Sequence, residues 1–95
     1  MPKPSRRHAQ LTDSFRERVK QAVRDIPRGE TLSYGEVATE AGSPGAARAV
    51  GSIMKENLDP SVPCHRVIHA DGSIGEYNRG GVPAKHALLR QEGAL

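Results

Sequence analysis

The stretch SYGEVATEAGSPGAARAVGSIMK, residues 33–55, decides the fold. Ser33 followed three residues later by Glu36 is a capping box, in which each side chain caps the other residue's backbone N–H. It opens a short helix that carries Val37, Ala38 and Ala41 on one side and stops at Gly42. Ser43 reads as the N-cap of the next helix, with Pro44 at the first helical position, where its missing N–H costs nothing. This helix, roughly Pro44 to Lys55, has a small-residue surface of Ala46, Ala47, Ala49 and Gly51, and offers Val50, Ile53 and Met54 to a core. Two short helices joined by a tight Gly-Ser-Pro turn, the second rich in Ala around Arg48, predict a helix-turn-helix. Any packed helical hairpin shares this pattern, so the spacing alone does not fix a function.

Working outward, Phe15, Val19, Ala22, Val23 and Ile26 fall on one face of an amphipathic helix. Ser14 with Glu17 reads as its capping box, and Pro27 and Gly29 end it. After Lys55 the chain from Asn57 to Pro63 reads as a loop. Val67 and Ile68, the turn pair Asp71-Gly72 and then Ile74 predict a small β-hairpin, the wing of a winged helix. Gly80-Gly81 breaks the chain again, and a last helix from about Pro83 carries Ala87, Leu88 and Leu89 and ends at Gly93. The expected fold is mainly α, a winged helix-turn-helix-like domain with a small β-hairpin over residues 11–95.

The 95 residues suit one small domain, whose folding removes only somewhat more than ~60% of the unfolded chain's surface from water. With no Trp and a single Phe, aliphatic residues must fill the core. No apolar run approaches the ~18 residues of a membrane span. Residues 1–10 lack the hydrophobic stretch of a signal peptide, so a cytoplasmic protein is expected. The net charge of +3 sits in that first segment: Lys3, Arg6 and Arg7 are its three basic residues and it has no acidic one. The other 85 residues hold eleven basic and eleven acidic side chains. A disordered basic tail, 1–10, ahead of a neutral body is therefore expected, and net charge by itself makes a weak case for nucleic-acid binding.

The segment VPCHRVI, residues 62–68, carries the chemistry. Cys64 is the single cysteine, either a buried filler or a reactive thiol. A thiol attacks as its thiolate and needs a nearby base or cation to be activated. His65 is next in sequence, and adjacent side chains converge only at a tight turn or a helix start. Cys64, His65 and His69 make a poor metal set, because structural zinc takes four ligands, commonly Cys-rich pairs.

These residues are similar to those of the O-6-alkylguanine-DNA alkyltransferases, specifically their C-terminal domain. The motifs are IPRGETLSYGEVA (26–38), AGSPGAARAVG (41–51), PCHRVI (63–68), GEY (75–77) and LLRQEG (88–93), five in the family's order. The resemblance implies that Cys64 is the alkyl acceptor. It implies that His65 takes the thiol proton through a water, that Glu92 orients His65, and that Asn57 braces the segment. Tyr34 would crowd a DNA phosphate and donate its hydroxyl to the base, and Arg48 would fill the gap left by a flipped nucleotide. Ala47 and Gly51 would let the helix approach the minor groove, and Val67, Gly75 and Tyr77 would border the base pocket. The implied partner is double-stranded DNA carrying alkylated guanine, met by a monomer without cofactor or metal. Without the resemblance, Glu92 is an exposed residue at a helix end, Arg48 a solvated helix residue and Asn57 a helix C-cap.

The sequence departs from the family pattern in places. The N-terminal domain that many members carry has no counterpart in these residues. The loop between Asn57 and Cys64 is about one residue short, Glu76 stands where Gly or Asn is usual, and Arg79 is inserted between Tyr77 and the Gly pair. Two rival functions stay open. Alkyltransferase-like proteins, which have lost the cysteine, only bind lesions, and retention of Cys64 argues against that branch. A helix-turn-helix regulator would need base-reading side chains, whereas the second helix offers only Arg48 and Lys55.

Overall fold

The computed structural model describes residues 13–95; the basic tail expected over residues 1–10 lies outside the described residues. Helix α1 spans Asp13–Arg24, strand β1 Leu32–Ser33, α2 Tyr34–Glu40 and α3 Ala47–Glu56. A single 3-10 turn, Cys64–Arg66, leads into strand β2, Val67–Ile68, and α4 covers Gly81–Gln91. The mainly helical architecture is as expected, and α2 and α3 form the helix-turn-helix.

Periodicity explains the core. Phe15, Val19, Val23 and Ile26, the predicted face of α1, pack against Val37, Ala38 and Ala41 and against Val50, Ile53 and Met54. Val62, Cys64 and Val67 complete this cluster, so the sulfur-bearing turn is anchored in the same core as the helices. Arg18 ties α1 to the end of α2: its Nε donates to the Ala41 carbonyl at 2.8 Å.

Four local expectations are corrected by the hydrogen bonds. Ser14 lies inside α1 rather than capping it, and its hydroxyl accepts from Arg18 Nη1 at 3.2 Å. Ser43 closes α2 instead of opening α3. Its N–H reaches the Ala38 carbonyl at 2.9 Å while Gly42 N–H reaches Thr39, a Schellman arrangement. Pro44 and Gly45 are then the middle of a β-turn closed by Ala46 N–H on the Ser43 carbonyl at 3.0 Å, so α3 begins at Ala47 and has no side-chain cap. Pro44 therefore serves its other favoured place, the second position of a turn. Helix α4 begins at Gly81, two residues before Pro83; the missing N–H of Pro83 falls in the first turn, where no intrahelical acceptor exists. The Ser33–Glu36 capping box forms as read, with both bonds present.

The expected hairpin is replaced by a parallel pair. Leu32 pairs with Val67 and Ser33 with Ile68. Beyond β2 the chain turns at Asp71, whose Oδ1 accepts from the Ser73 N–H and hydroxyl, and one bond links His69 N–H to the Ser73 carbonyl. No second strand follows, and Ile74 leads into the loop that returns over α3. The partner of Val67 is set by burial: Val67 is fully buried in the core, and Leu32 packs against the same cluster.

Ahead of β1, Glu30 N–H closes a turn on the Pro27 carbonyl at 3.0 Å. Gly29 within it has φ +91°, and a Cβ there would stand 3.1 Å from the Glu92 carbonyl oxygen. A left-handed conformation costs an L-residue about 1–2 kcal/mol. Gly29→Ala should therefore lower stability by at least about 1 kcal/mol in urea unfolding; an unchanged midpoint would show that this turn is not held against the end of α4.

Candidate functional site

A cleft of about 970 Å³ opens between α2, α3 and the loop 75–81, and Cys64 forms part of its lining. Tyr34, the first residue of α2, and Ala47, Arg48 and Gly51 of α3 stand along it, with Gly75 and Tyr77 opposite. Seven residues of the expected site are thus brought together by two helices, the 3-10 turn and one loop. Val67 is not among the lining side chains: it faces the core with no exposure. Alternation on β2 decides this, because the residue beside Leu32 must point inward.

The sulfur is held from behind. Asn57 is the C-cap of α3 and is only 4% exposed, and its amide Nδ2 donates to Cys64 Sγ at 3.2 Å and to the Asp59 carbonyl at 3.1 Å. Asn57 is thus a helix cap and a brace at once. Burial pushes the Cys64 thiol up from its ordinary value; the Asn57 amide and then the charges of Arg79 and Lys85 oppose that rise. The resting group is a protonated thiol.

Behind Cys64, His65 Nε2 lies 2.8 Å from Glu92 Oε2. Arg66 grips the same carboxylate with two bonds, Nε to Oε1 at 2.9 Å and Nη2 to Oε2 at 3.0 Å, and donates a third to the Ile26 carbonyl. The Arg66 hydrogen bonds, reinforced by His65, hold the Glu92 carboxyl down at about 2. An ionised carboxylate can only accept, so His65 presents Nε2–H to it and keeps the Nδ1 lone pair free. Helix α4 puts Glu92 there by its ending: Gly93 N–H bonds the Arg90 carbonyl and Ala94 N–H the Leu89 carbonyl, leaving Glu92 as the capping residue. The one side-chain hydrogen bond to Sγ among the described residues comes from Asn57, so His65 and Cys64 are neighbours without a direct bond.

The family model described as "6-O-methylguanine DNA methyltransferase, DNA binding domain" matches residues 14–94. The chain belongs to that family. It is 44% identical to the mouse methylated-DNA–protein-cysteine methyltransferase over 98% of this chain and 46% of the mouse protein. The crystal structure of Mycobacterium tuberculosis OGT in complex with DNA superposes with a TM-score of 0.80 at 51% identity, over 87% of this chain and 51% of that one. S. pombe Atl1, in complex with damaged DNA containing O6-carboxymethylguanine, gives a TM-score of 0.77 at 37% identity, over 86% of this chain and 78% of that one. The chain spans about half the length of the curated relatives it matches.

Three residues of this domain take places that the sequence did not assign to them. Arg66 stands inside a quoted motif but drew no role, since nothing in the sequence places it on a carboxylate 26 residues away. Lys85 is 1% exposed; its Nζ donates to the Glu76 carbonyl at 3.3 Å and lies 5.8 Å from the Tyr34 ring. Burial lowers it to about 8. The signal was available, because Lys85 shares a helical face with buried Leu89. His69 packs against Tyr34 with the rings tilted by 48° and their centroids 5.1 Å apart, and a Cβ on Gly75 would stand 3.0 Å from its Nε2, which explains the glycine there. Tyr34 itself is pushed above 10 by burial, then by the charges of Cys64 and Glu76, so its hydroxyl keeps its proton.

Glu92 also makes a stability prediction. Its folded value of about 2 lies below its ordinary 4.5, so its contribution is complete above about pH 4.5 and is lost as pH falls toward about 2. The gap in unfolding free energy between wild type and Glu92→Gln should narrow over that window. A gap that stays constant from neutral pH to about pH 2 would show that the carboxylate is not the group held.

Proposed function

We propose that this chain repairs DNA by direct reversal, moving an alkyl group from O-6 of a flipped guanine in duplex DNA to Cys64. The observation that carries this reading is the placement of a braced, buried thiol in the lining of a cleft roomy enough to admit a base, with an imidazole–carboxylate pair immediately behind it. The names of the relatives, and the DNA in two of the solved structures, support it.

In the proposed step the sulfur attacks the alkyl carbon in line with the departing oxygen. The S–C bond forms as the C–O bond breaks, and O-6 keeps the electron pair. The thiol proton leaves toward Nδ1 of His65 through a bridging water, with Glu92 compensating the imidazolium charge. Guanine takes up a proton on the base; the Tyr34 hydroxyl, protonated in the cleft, is the donor at hand. A thioether has no leaving group that water can displace at neutral pH, so each molecule acts once. Arg48, exposed on α3, would occupy the space of the flipped nucleotide, and Ala47 and Gly51 beside it would let the helix backbone approach the duplex. The same chain would work as a monomer.

Incubation with an oligonucleotide containing O6-methylguanine should add one methyl mass to Cys64, up to one per molecule, as read by intact mass and peptide mapping. Cys64→Ala should abolish the gain. His65→Ala should slow transfer by about 10²–10⁴-fold, the usual range for a general base. Tight lesion binding with no mass gain would instead assign the chain the lesion-binding role, and selection of one undamaged duplex sequence would make it a regulator.

Arg48→Ala separates flipping from chemistry. Transfer from duplex should fall well over tenfold, while reaction with the free base O6-methylguanine should stay near wild type. Equal losses on both would remove Arg48 from the flipped-state role.

A further inference from the structure

The parallel register carries two rings out of the sheet side by side. Leu32 pairs with Val67 and Ser33 with Ile68, so the residues next in step are Tyr34 and His69. Their ring centroids lie 5.1 Å apart, within the range of a packed aromatic pair. Both side chains line the cleft that Cys64 lines. A Cβ on Gly75 would stand 3.0 Å from His69 Nε2 and 3.3 Å from the Tyr34 hydroxyl oxygen. The two polar tips therefore close on one point of the loop, and only a glycine leaves them room there.

The backbone of His69 is fixed independently of its ring. Its N–H donates to the Ser73 carbonyl at 3.0 Å, and its carbonyl accepts from Gly72 N–H at 2.9 Å. Asp71 Oδ1 braces the same turn through Ser73. From α4, Lys85 Nζ lies 5.8 Å from the Tyr34 ring centroid and donates to the Glu76 carbonyl at 3.3 Å. The Tyr34 ring is thus confined by the turn after β2, by the pocket loop and by α4. Its hydroxyl is raised by burial first and then by the charges of Cys64 and Glu76, with no hydrogen bond among the causes. Packing, rather than a hydrogen-bonding partner, sets where that hydroxyl points.

We propose that His69 is the positioning residue of the Tyr34 hydroxyl, its ring packing the phenol so that the hydroxyl faces the cleft that Cys64 lines. This deepens the alkyl-transfer reading and rests on it for the use made of that hydroxyl. In that step the phenol gives its proton to guanine as the C–O bond breaks, and recovers one from solvent. The packing itself is measurable without DNA.

The chain has two tyrosines and no tryptophan, so in a Tyr77→Phe background phenolate absorbance reports Tyr34 alone. Adding His69→Ala strips cover from the phenol and should lower its midpoint toward the ordinary 10. His69→Phe, which keeps a ring, should restore the higher midpoint. His69 is exposed, so neither change removes a core side chain. In single-turnover transfer from duplex O6-methylguanine, His69→Ala should be about tenfold slower, a part of the ~10²–10⁴ that a general acid contributes. The same change made in Tyr34→Phe should cost nothing further, because the hydroxyl it would misplace is already gone. Iodoacetamide supplies the contrast. There the sulfur attacks the CH₂ carbon, the C–I bond breaks, iodide leaves with the electron pair, and the thiol proton passes to the buffer. Iodide needs no proton, so His69→Ala should not slow this alkylation of Cys64. An unmoved Tyr34 midpoint in His69→Ala overturns the proposal, whether or not the chain transfers methyl. So does a transfer loss of equal size with and without the Tyr34 hydroxyl, or an equal slowing toward iodoacetamide. A His69→Phe that behaves like His69→Ala also overturns it, by assigning the effect to the nitrogens rather than the ring. A lowered midpoint in a chain that gains no methyl would count against the repair reading alone.

Discussion

A carboxylate whose side chain is only 6% exposed cannot be left alone in a protein, and the way Glu92 is satisfied organises much of this domain. Arg66 supplies a fork of two bonds to it and spends a third on the Ile26 carbonyl, past the end of α1. His65 supplies the remaining bond. One acidic group thus joins the end of α4, the sulfur-bearing turn and the exit of α1. Removing one partner from such a buried pair costs about 3–5 kcal/mol, because the other charge is stranded. The interaction also fixes the imidazole: with Nε2–H committed to the carboxylate, the remaining lone pair is on Nδ1.

The same economy of residues recurs at the other end of the site. Asn57 ends α3, and the geometry that makes it a cap also aims its amide at Cys64. Asn78 then donates to the carbonyl of that cap and to that of Lys55 in the last turn, which carries the loop 75–81 onto the helix end. Helix α3 therefore has two separate tasks. Its middle presents small residues and Arg48 to the cleft, and its last turn leads into the brace of Cys64.

How far the sequence carried depended on whether a signal had one use or several. The apolar face of α1 and the Ser33–Glu36 box have one use each at their spacing, and both formed. Ser14, Ser43 and Pro44 did not behave as read, because serine also closes helices or bonds a neighbouring side chain and proline also opens turns. Val67-Ile68 was recognisable as a strand, but its partner lies 35 residues back at Leu32-Ser33, and local turn chemistry cannot reveal a parallel pairing. The candidate site was legible through motif resemblance rather than through physics. Glu92 looks like a solvated helix end until a C-terminal Schellman turn delivers it to His65. Arg66 acquires meaning only from its long-range partners, Glu92 and the Ile26 carbonyl.

One tension in the site points to how it would work. Burial makes the Cys64 thiol harder to ionise, which opposes reactivity in the resting state. The same burial would shield the chain's single thiol from adventitious electrophiles, and a protein consumed by the proposed transfer would gain most from that. The opposing groups do not need to produce a standing thiolate. The Asn57 amide lies against the sulfur and the His65–Glu92 pair behind it, and in the proposed transfer such preorganised groups would act on the transition state more than on the neutral thiol. Reactivity would then arise when a base in the cleft presents its alkyl carbon, since only attack on that carbon gives these groups the anion they are arranged to stabilise.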